Sequence, residues 1–160
     1  MMPAAQGLIG RALIRVLLVD DQSAVREGLS RLLACADFRS VCVAGTPADA
    51  LRLAAHQHPH VVVLDVDLAG EDGLALIPRF AAGTAVVVLS SHGDEATRAR
   101  ADVMGARAFI EKHRPAAVLL EAITQVAHLQ IQGEPPPIAP GATYAAALGA
   151  DSDATPQRAP

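Results

Sequence analysis

The chain has 160 residues, 51% of them hydrophobic, and 13 basic side chains against 17 acidic ones give a formal net charge of −4. That length supports one domain with its own core and leaves little for a second. No apolar run approaches the ~20 residues that span a bilayer, and the acidic balance offers no basic face, so neither a membrane nor direct nucleic-acid contact is expected.

Residues 1–13 form an N-terminal extension, and Met1 to Gly10 lack the long apolar stretch of a secretory signal, so a cytoplasmic location is expected. Ile14 to Val19 is a β-branched, apolar strand that ends in Asp20-Asp21. Ser23 is placed to cap the next helix, whose Val25, Leu29, Leu32 and Leu33 share a face. Val41 to Ala44 is a short strand. Cys35 and Cys42, one at the helix end and one in this strand, are expected to be buried, reduced thiols and not a redox pair. Thr46-Pro47-Ala48-Asp49 opens a helix to about Gln57 as a capping box with proline in its first turn. Val61 to Leu64 is continuously apolar, as in a strand covered on both faces.

A third helix follows Gly73, but Pro78 removes a backbone donor there and clashes with the preceding turn, which predicts a short, kinked or late-starting element. A strand over Ala85 to Leu89, a helix from about Asp94 to Met104, a strand over Arg107 to Ile110 and a helix opened by Pro115 complete the series. Leu119, Ile123 and Val126 face inward on that last helix. Five strands alternating with five helices predict an α/β fold, a parallel, doubly wound sheet. Residues 133–160 carry six of the eleven prolines and read as a disordered Pro/Ala-rich tail.

In such a sheet, ligands bind beyond the carboxyl ends of the strands. Those ends carry Asp20 and Asp21, Asp65, Ser90 and Lys112. Three carboxylates held together require a cation, and Mg²⁺ suits because it prefers oxygen ligands and bridges carboxylates to phosphate. Lys112 and Ser90 can serve further phosphoryl oxygens, which makes the set fit for phosphoryl transfer. His56, His58 and His60 alternate in a helix-to-strand loop, but no cysteine or carboxylate nearby completes a tetrahedral metal set.

The segments VLLVDD, VVVLDVDLAGEDG, VVVLSS and GARAFIEK, in that order, resemble the receiver domains of bacterial two-component response regulators over about residues 14–130. The resemblance implies a flavodoxin-like (βα)5 receiver fold over 14–132, with Asp65 as phosphoacceptor. It implies Mg²⁺ held by Asp21 directly, by Asp20 through water, by Asp65 and by the backbone carbonyl of Asp67. Ser90 and Lys112 would hold the phosphoryl group, and Ser90 with Phe109 would form the switch. The donor would be a sensor histidine kinase or a phosphotransfer protein. A downstream protein would meet the face of the fourth helix, fifth strand and fifth helix. Ala69 and His113 stand where such domains commonly carry proline, and Phe109 stands where tyrosine is common; His113 and the LSS run look like LuxR-type regulators. Asp67 and His92 flank the acceptor where phosphoryl lifetime is usually tuned.

The main expectation is a stand-alone, phosphorylatable receiver and not a turnover enzyme. One alternative is a LuxR-type transcriptional regulator that has lost its DNA-binding domain, since the tail lacks the periodicity of a helix-turn-helix. Another is a haloacid-dehalogenase-like phosphatase, suggested by Asp65-Val66-Asp67 but opposed by the position of that motif on the third strand.

Overall fold

The computed structural model describes residues 10–132. The tail over 133–160 and most of the N-terminal extension lie outside the described residues. The elements are β1 (Arg15–Val19), α1 (Ser23–Cys35), β2 (Ser40–Ala44), α2 (Pro47–Gln57), β3 (Val61–Asp65), a 3₁₀ helix in the third helical place called α3 (Gly73–Arg79), β4 (Ala85–Ser90), α4 (Glu95–Met104), β5 (Ala108–Glu111) and α5 (Ala116–Gln132). The five strands are parallel in the order β2-β1-β3-β4-β5. Chain order therefore reverses between β1 and β3, the place where such a sheet opens a crevice.

Side-chain alternation along each central strand builds two cores, one on each face. Val16, Leu18, Val61, Val63, Val87 and Leu89 meet Leu33 of α1 and Leu119, Ile123 and Val126 of α5. On the other face Leu17, Val19, Val62, Leu64, Val86 and Val88 meet Ala50 of α2, Leu74 and Ile77 of α3, and Ala101 of α4. All of β3 is buried, as its unbroken apolar run predicts. Each fully buried aliphatic side chain contributes about 1.5–3 kcal/mol, so the central strands hold their ends rigidly in place.

Several local expectations are met in detail. Thr46 caps α2 by accepting from the Asp49 N–H at 3.1 Å. The helix expected from about Asp94 is α4, and Asp94, not foreseen as a cap, caps it through the Thr97 N–H at 3.2 Å. The helix around Pro78 is short, seven residues of 3₁₀ type, as the backbone donor missing at proline predicts.

Others are corrected. Ser23 does not cap α1: it is the first helical residue, and Gln22 holds the cap position without a side-chain bond. The Gln22 N–H is instead taken by Asp20 Oδ1 at 2.9 Å, so the acid cluster itself sets where the helix starts. The cysteines are not a buried pair. Cys35 is exposed at the end of α1, and Cys42 is half-buried in edge strand β2, its thiol pushed up by burial. A hairpin between Asp67–Leu68 and Glu71–Asp72 goes beyond the predicted alternation. Its turn residues Ala69 and Gly70 have φ of 54° and 89°, the left-handed pair of a tight hairpin turn. A proline ring, fixed near −65°, cannot occupy position 69 in that turn.

Candidate functional site

At the carboxyl edge, the switch point brings together the ends of β1 and β3. The Asp20 N–H continues the sheet ladder by donating to the Ala44 carbonyl at 3.1 Å, which aims its side chain into the crevice. Asp20 is 2% exposed and Asp65 is 7% exposed, while Asp21 is half-buried. Carboxylate oxygens of all three lie within 4.8 Å of one another.

Lys112 answers them from the end of β5. Its backbone N–H donates to the Ser90 carbonyl at 2.7 Å, and its ammonium sits 3.1 Å from Asp20 Oδ2 and 3.4 Å from Asp65 Oδ1. Among the described residues no other cation lies within ion-pair distance of the cluster. Burial pushes the Asp65 carboxyl up to about 6, reinforced by the Asp20 charge and opposed by Lys112 and by the Asp67 N–H. Burial works against the Lys112 ammonium, but the hydrogen bond and charges from Asp20 and Asp65 leave it above its ordinary value.

Three carboxylates against one ammonium leave a formal charge of −2 in a concave, largely buried place. Such a donor set, all hard oxygen, fits a small dication such as Mg²⁺. It does not suit a soft metal, which would call for sulfur or imidazole.

Ser90 lies beside Asp65 and Asp67 on the wall of a cavity of about 290 Å³ that also reaches His92 and Thr97. Its hydroxyl donates to the His92 carbonyl at 2.6 Å and accepts the His92 N–H at 3.1 Å, so it is engaged within its own loop. Asp67 is exposed, and its carboxylate accepts the Gly70 N–H at 3.0 Å. Phe109 is half-buried against the second core face, with the Arg98 guanidinium 4.5 Å above its ring. Arg98 also lies 3.6 Å from Glu111 Oε2, which ties α4 to β5 beside that ring.

The structure thus brings Asp20, Asp21, Asp65 and Lys112 into one cluster, sets Ser90 and Asp67 at its rim, and keeps Phe109 one layer back. The loop histidines stand apart: His60 Nδ1 accepts the Arg15 N–H at 3.0 Å at the opposite end of the strands. Among the described residues the three aspartates are the one metal-ligand group of that kind.

Sequence reasoning overlooked three supports. Arg26 donates to the Asp20 carbonyl at 2.7 Å, and Arg100 pairs with Asp72, the acid that caps α3 through the Leu74 N–H. At Gly73 an added Cβ would fall 2.1 Å from the Asp65 carbonyl oxygen, so only glycine lets the backbone pass the acceptor strand. Its one sequence signal is the Asp-Gly step after the hairpin.

A family model described as the response regulator receiver domain matches residues 16–124. Protein-glutamate methylesterase/protein-glutamine glutaminase 6 of Anaeromyxobacter dehalogenans (strain 2CP-C) is 38% identical over 133 residues, covering 76% of this chain and 37% of that protein. The transcriptional regulatory protein LiaR of Bacillus subtilis (strain 168) is 32% identical over 127 residues, covering 77% and 58%. The crystal structure of the BeF3-activated N-terminal receiver domain of Klebsiella pneumoniae RstA superposes with a TM-score of 0.65 at 26% identity, covering 71% and 97%. The chain spans about half the length, or less, of curated relatives such as the methylesterase (37%) and a DegU regulator of Brevibacillus brevis (50%).

Proposed function

This chain belongs to the response regulator receiver family, and from that premise we propose that it accepts a phosphoryl group on Asp65 and passes the signal on by binding another protein. The observation that carries the proposal is the cluster itself: two nearly buried carboxylates and a third beside them, answered by one ammonium. A merely structural role does not account for such charge, because an uncompensated buried carboxylate is costly.

In this reading Asp21, Asp65 and the Asp67 carbonyl hold Mg²⁺, with Asp20 acting through a water. Bound there, the metal would supply positive charge to offset that of the phosphoryl group, while these residues hold it in place. An Asp65 carboxylate oxygen attacks the phosphorus of a phosphohistidine on a sensor kinase or phosphotransfer protein. The P–O bond forms as the P–N bond breaks, and the imidazole leaves. Lys112 holds one phosphoryl oxygen. Ser90 exchanges the His92 carbonyl for another, because a charge-assisted bond is stronger than a neutral one. The phosphoryl group later leaves by hydrolysis, so the domain carries a signal and does not turn over a substrate. The receiver unit spans residues 14–132, acts in the cytoplasm, and meets its downstream protein on α4, β5 and α5.

The likeness to LiaR and DegU, both named transcriptional regulatory proteins, favours a second reading in which this domain works for a DNA-binding output. Phosphorylation-dependent binding to a separate DNA-binding protein would support it.

The test is intact-mass measurement after incubation with acetyl phosphate and Mg²⁺. One phosphoryl adduct is expected, on Asp65, and absent from Asp65→Asn or without metal. Undiminished labelling in Asp65→Asn would overturn the assignment.

A further inference from the structure

At the pole of the sheet opposite the carboxylates, a cavity of about 540 Å³ opens between the amino ends of β1, β3 and β4. A five-residue strand spans roughly 17 Å, so this cavity and the acid cluster are separate places. Its polar wall carries the guanidinium groups of Arg15 and Arg79 beside the His58 and His60 rings, and no Asp or Glu lines it. Among the described residues neither arginine has a carboxylate partner.

Arg15 and His60 are held in place. Arg15 Nε donates to the His58 carbonyl at 2.9 Å, and the Arg15 N–H donates to His60 Nδ1 at 3.0 Å. With Nδ1 accepting, the neutral His60 ring carries its proton on Nε2 and can donate from there. The floor is equally fixed. Thr84 Oγ1 donates to the Pro59 carbonyl at 2.8 Å, and the Ala85 N–H donates to the His60 carbonyl at 2.9 Å. Leu51, Ala54 and Phe80 make the rest of the wall apolar, and the volume lies in the range that takes a small organic ligand.

Two unpaired guanidinium groups in a concave wall attract an oxyanion, and together they match a dianion in charge. A phosphate monoester is such a dianion near neutral pH, its second pKa being ~6. A monocarboxylate would leave one guanidinium unanswered. We propose that this cavity binds a small organic phosphate, its phosphoryl oxygens on Arg15 and Arg79 and its apolar body against Leu51, Ala54 and Phe80. The site shares no residue with the Asp65 cluster, so it stands or falls independently of phosphotransfer.

The test is a titration of the ¹⁵N-labelled full chain, with no divalent metal added, using phenyl phosphate, inorganic phosphate and benzyl alcohol. Phenyl phosphate is expected to shift the amides of Arg15, His60 and Thr84 saturably, with a Kd of roughly 1 mM or lower. Inorganic phosphate should shift the same amides more weakly, and benzyl alcohol should not. Arg15→Gln and Arg79→Gln should each weaken phenyl phosphate binding by about tenfold or more, and Arg31→Gln on α1 should leave it unchanged. Arg79 is exposed at the end of α3, so Arg79→Gln carries the comparison if the strand variant fails to fold. The proposal is overturned by shifts centred on Asp65 and Ser90, by undiminished binding in Arg79→Gln, or by no saturable response.

Discussion

Asp65 is the residue whose chemistry departs furthest from its behaviour in water, and that departure has a sign. Its folded pKa of about 6 lies above the ordinary 3.8, so folding favours the protonated form. The resulting penalty is absent below the ordinary value and complete above about pH 6; stability of the metal-free protein therefore falls as pH rises through that window. A ¹³C NMR titration of the Asp65 carboxyl should show a midpoint near 6 without metal, and Mg²⁺ affinity should drop as pH falls through the same value. A midpoint in the ordinary carboxylate range would sink this account. Asp65→Asn should stabilise the metal-free protein by roughly 1–3 kcal/mol above pH ~7, measured by urea unfolding. Lys112 is shifted upward too, but for a base that favours the charged form, so its contribution persists through neutral pH and is lost only above the ordinary lysine range. The aspartates, Ser90 and Lys112 were legible because each ends an apolar strand, and strand ends can be read locally. Gly73 was not, because its requirement comes from the Asp65 backbone, eight residues back, where the chain crosses itself. Gly73→Ala should cost roughly 1–3 kcal/mol in chemical unfolding, the penalty of an overpacked contact, and should slow labelling of Asp65.

Among the elements, those with their own local chemistry were readable and those set by distant partners were not. A cap such as Thr46 announces itself because donor and acceptor lie three residues apart. The start of α1 misleads because Asp20, two residues before the cap position, takes the Gln22 N–H. Between α4 and β5 the informative feature is the ring of Phe109 beneath Arg98, with Glu111 holding the same guanidinium. An exposed cation–π contact is worth ~0.5–1 kcal/mol, small enough for a phosphoryl-driven movement of Ser90 to break. Deeper burial of a phenylalanine ring contributes up to about 1.5–3 kcal/mol, which compensates for the lost contact and biases a two-state surface. NMR shifts on α4 and β5 should therefore respond to beryllofluoride in the wild type, respond at least as strongly in Arg98→Ala, and fail to respond in Phe109→Ala. Phe109→Tyr should behave as wild type, since packing and not a hydroxyl holds the ring. Identical responses in wild type and Phe109→Ala would make Phe109 a core residue only.

At the scale of the whole molecule, the sheet separates two charged poles across an apolar body. The carboxyl edge carries an acid cluster of formal charge −2, and the amino edge carries unpaired guanidinium groups. The doubly wound class was legible because apolar strand runs alternate with helical segments, the hairpin and the 3₁₀ helix aside, and the strand order puts Asp20 beside Asp65. The cationic pole was not legible: Arg15 comes from β1 and Arg79 from α3, with His60 in the loop before β3, and only the fold makes them neighbours. Charge repulsion at the acid pole predicts how the protein responds to metal. A dication that binds only the folded state stabilises it by mass action, by about 2.7 kcal/mol at a hundredfold excess over Kd, and removes the Asp65 penalty at the same time. Mg²⁺ should thus raise the melting temperature by several degrees, whereas NaCl at matched ionic strength should not. Asp21→Ala should abolish most of that gain because it deletes one carboxylate ligand. The same substitution should not destabilise the metal-free protein, since it relieves repulsion and leaves both Lys112 ion pairs in place. His58→Ala, at the far pole, should keep the whole Mg²⁺ response. If the histidine variant lost the response and Asp21→Ala kept it, the metal would sit at the wrong pole and the acid cluster would lose its assigned role.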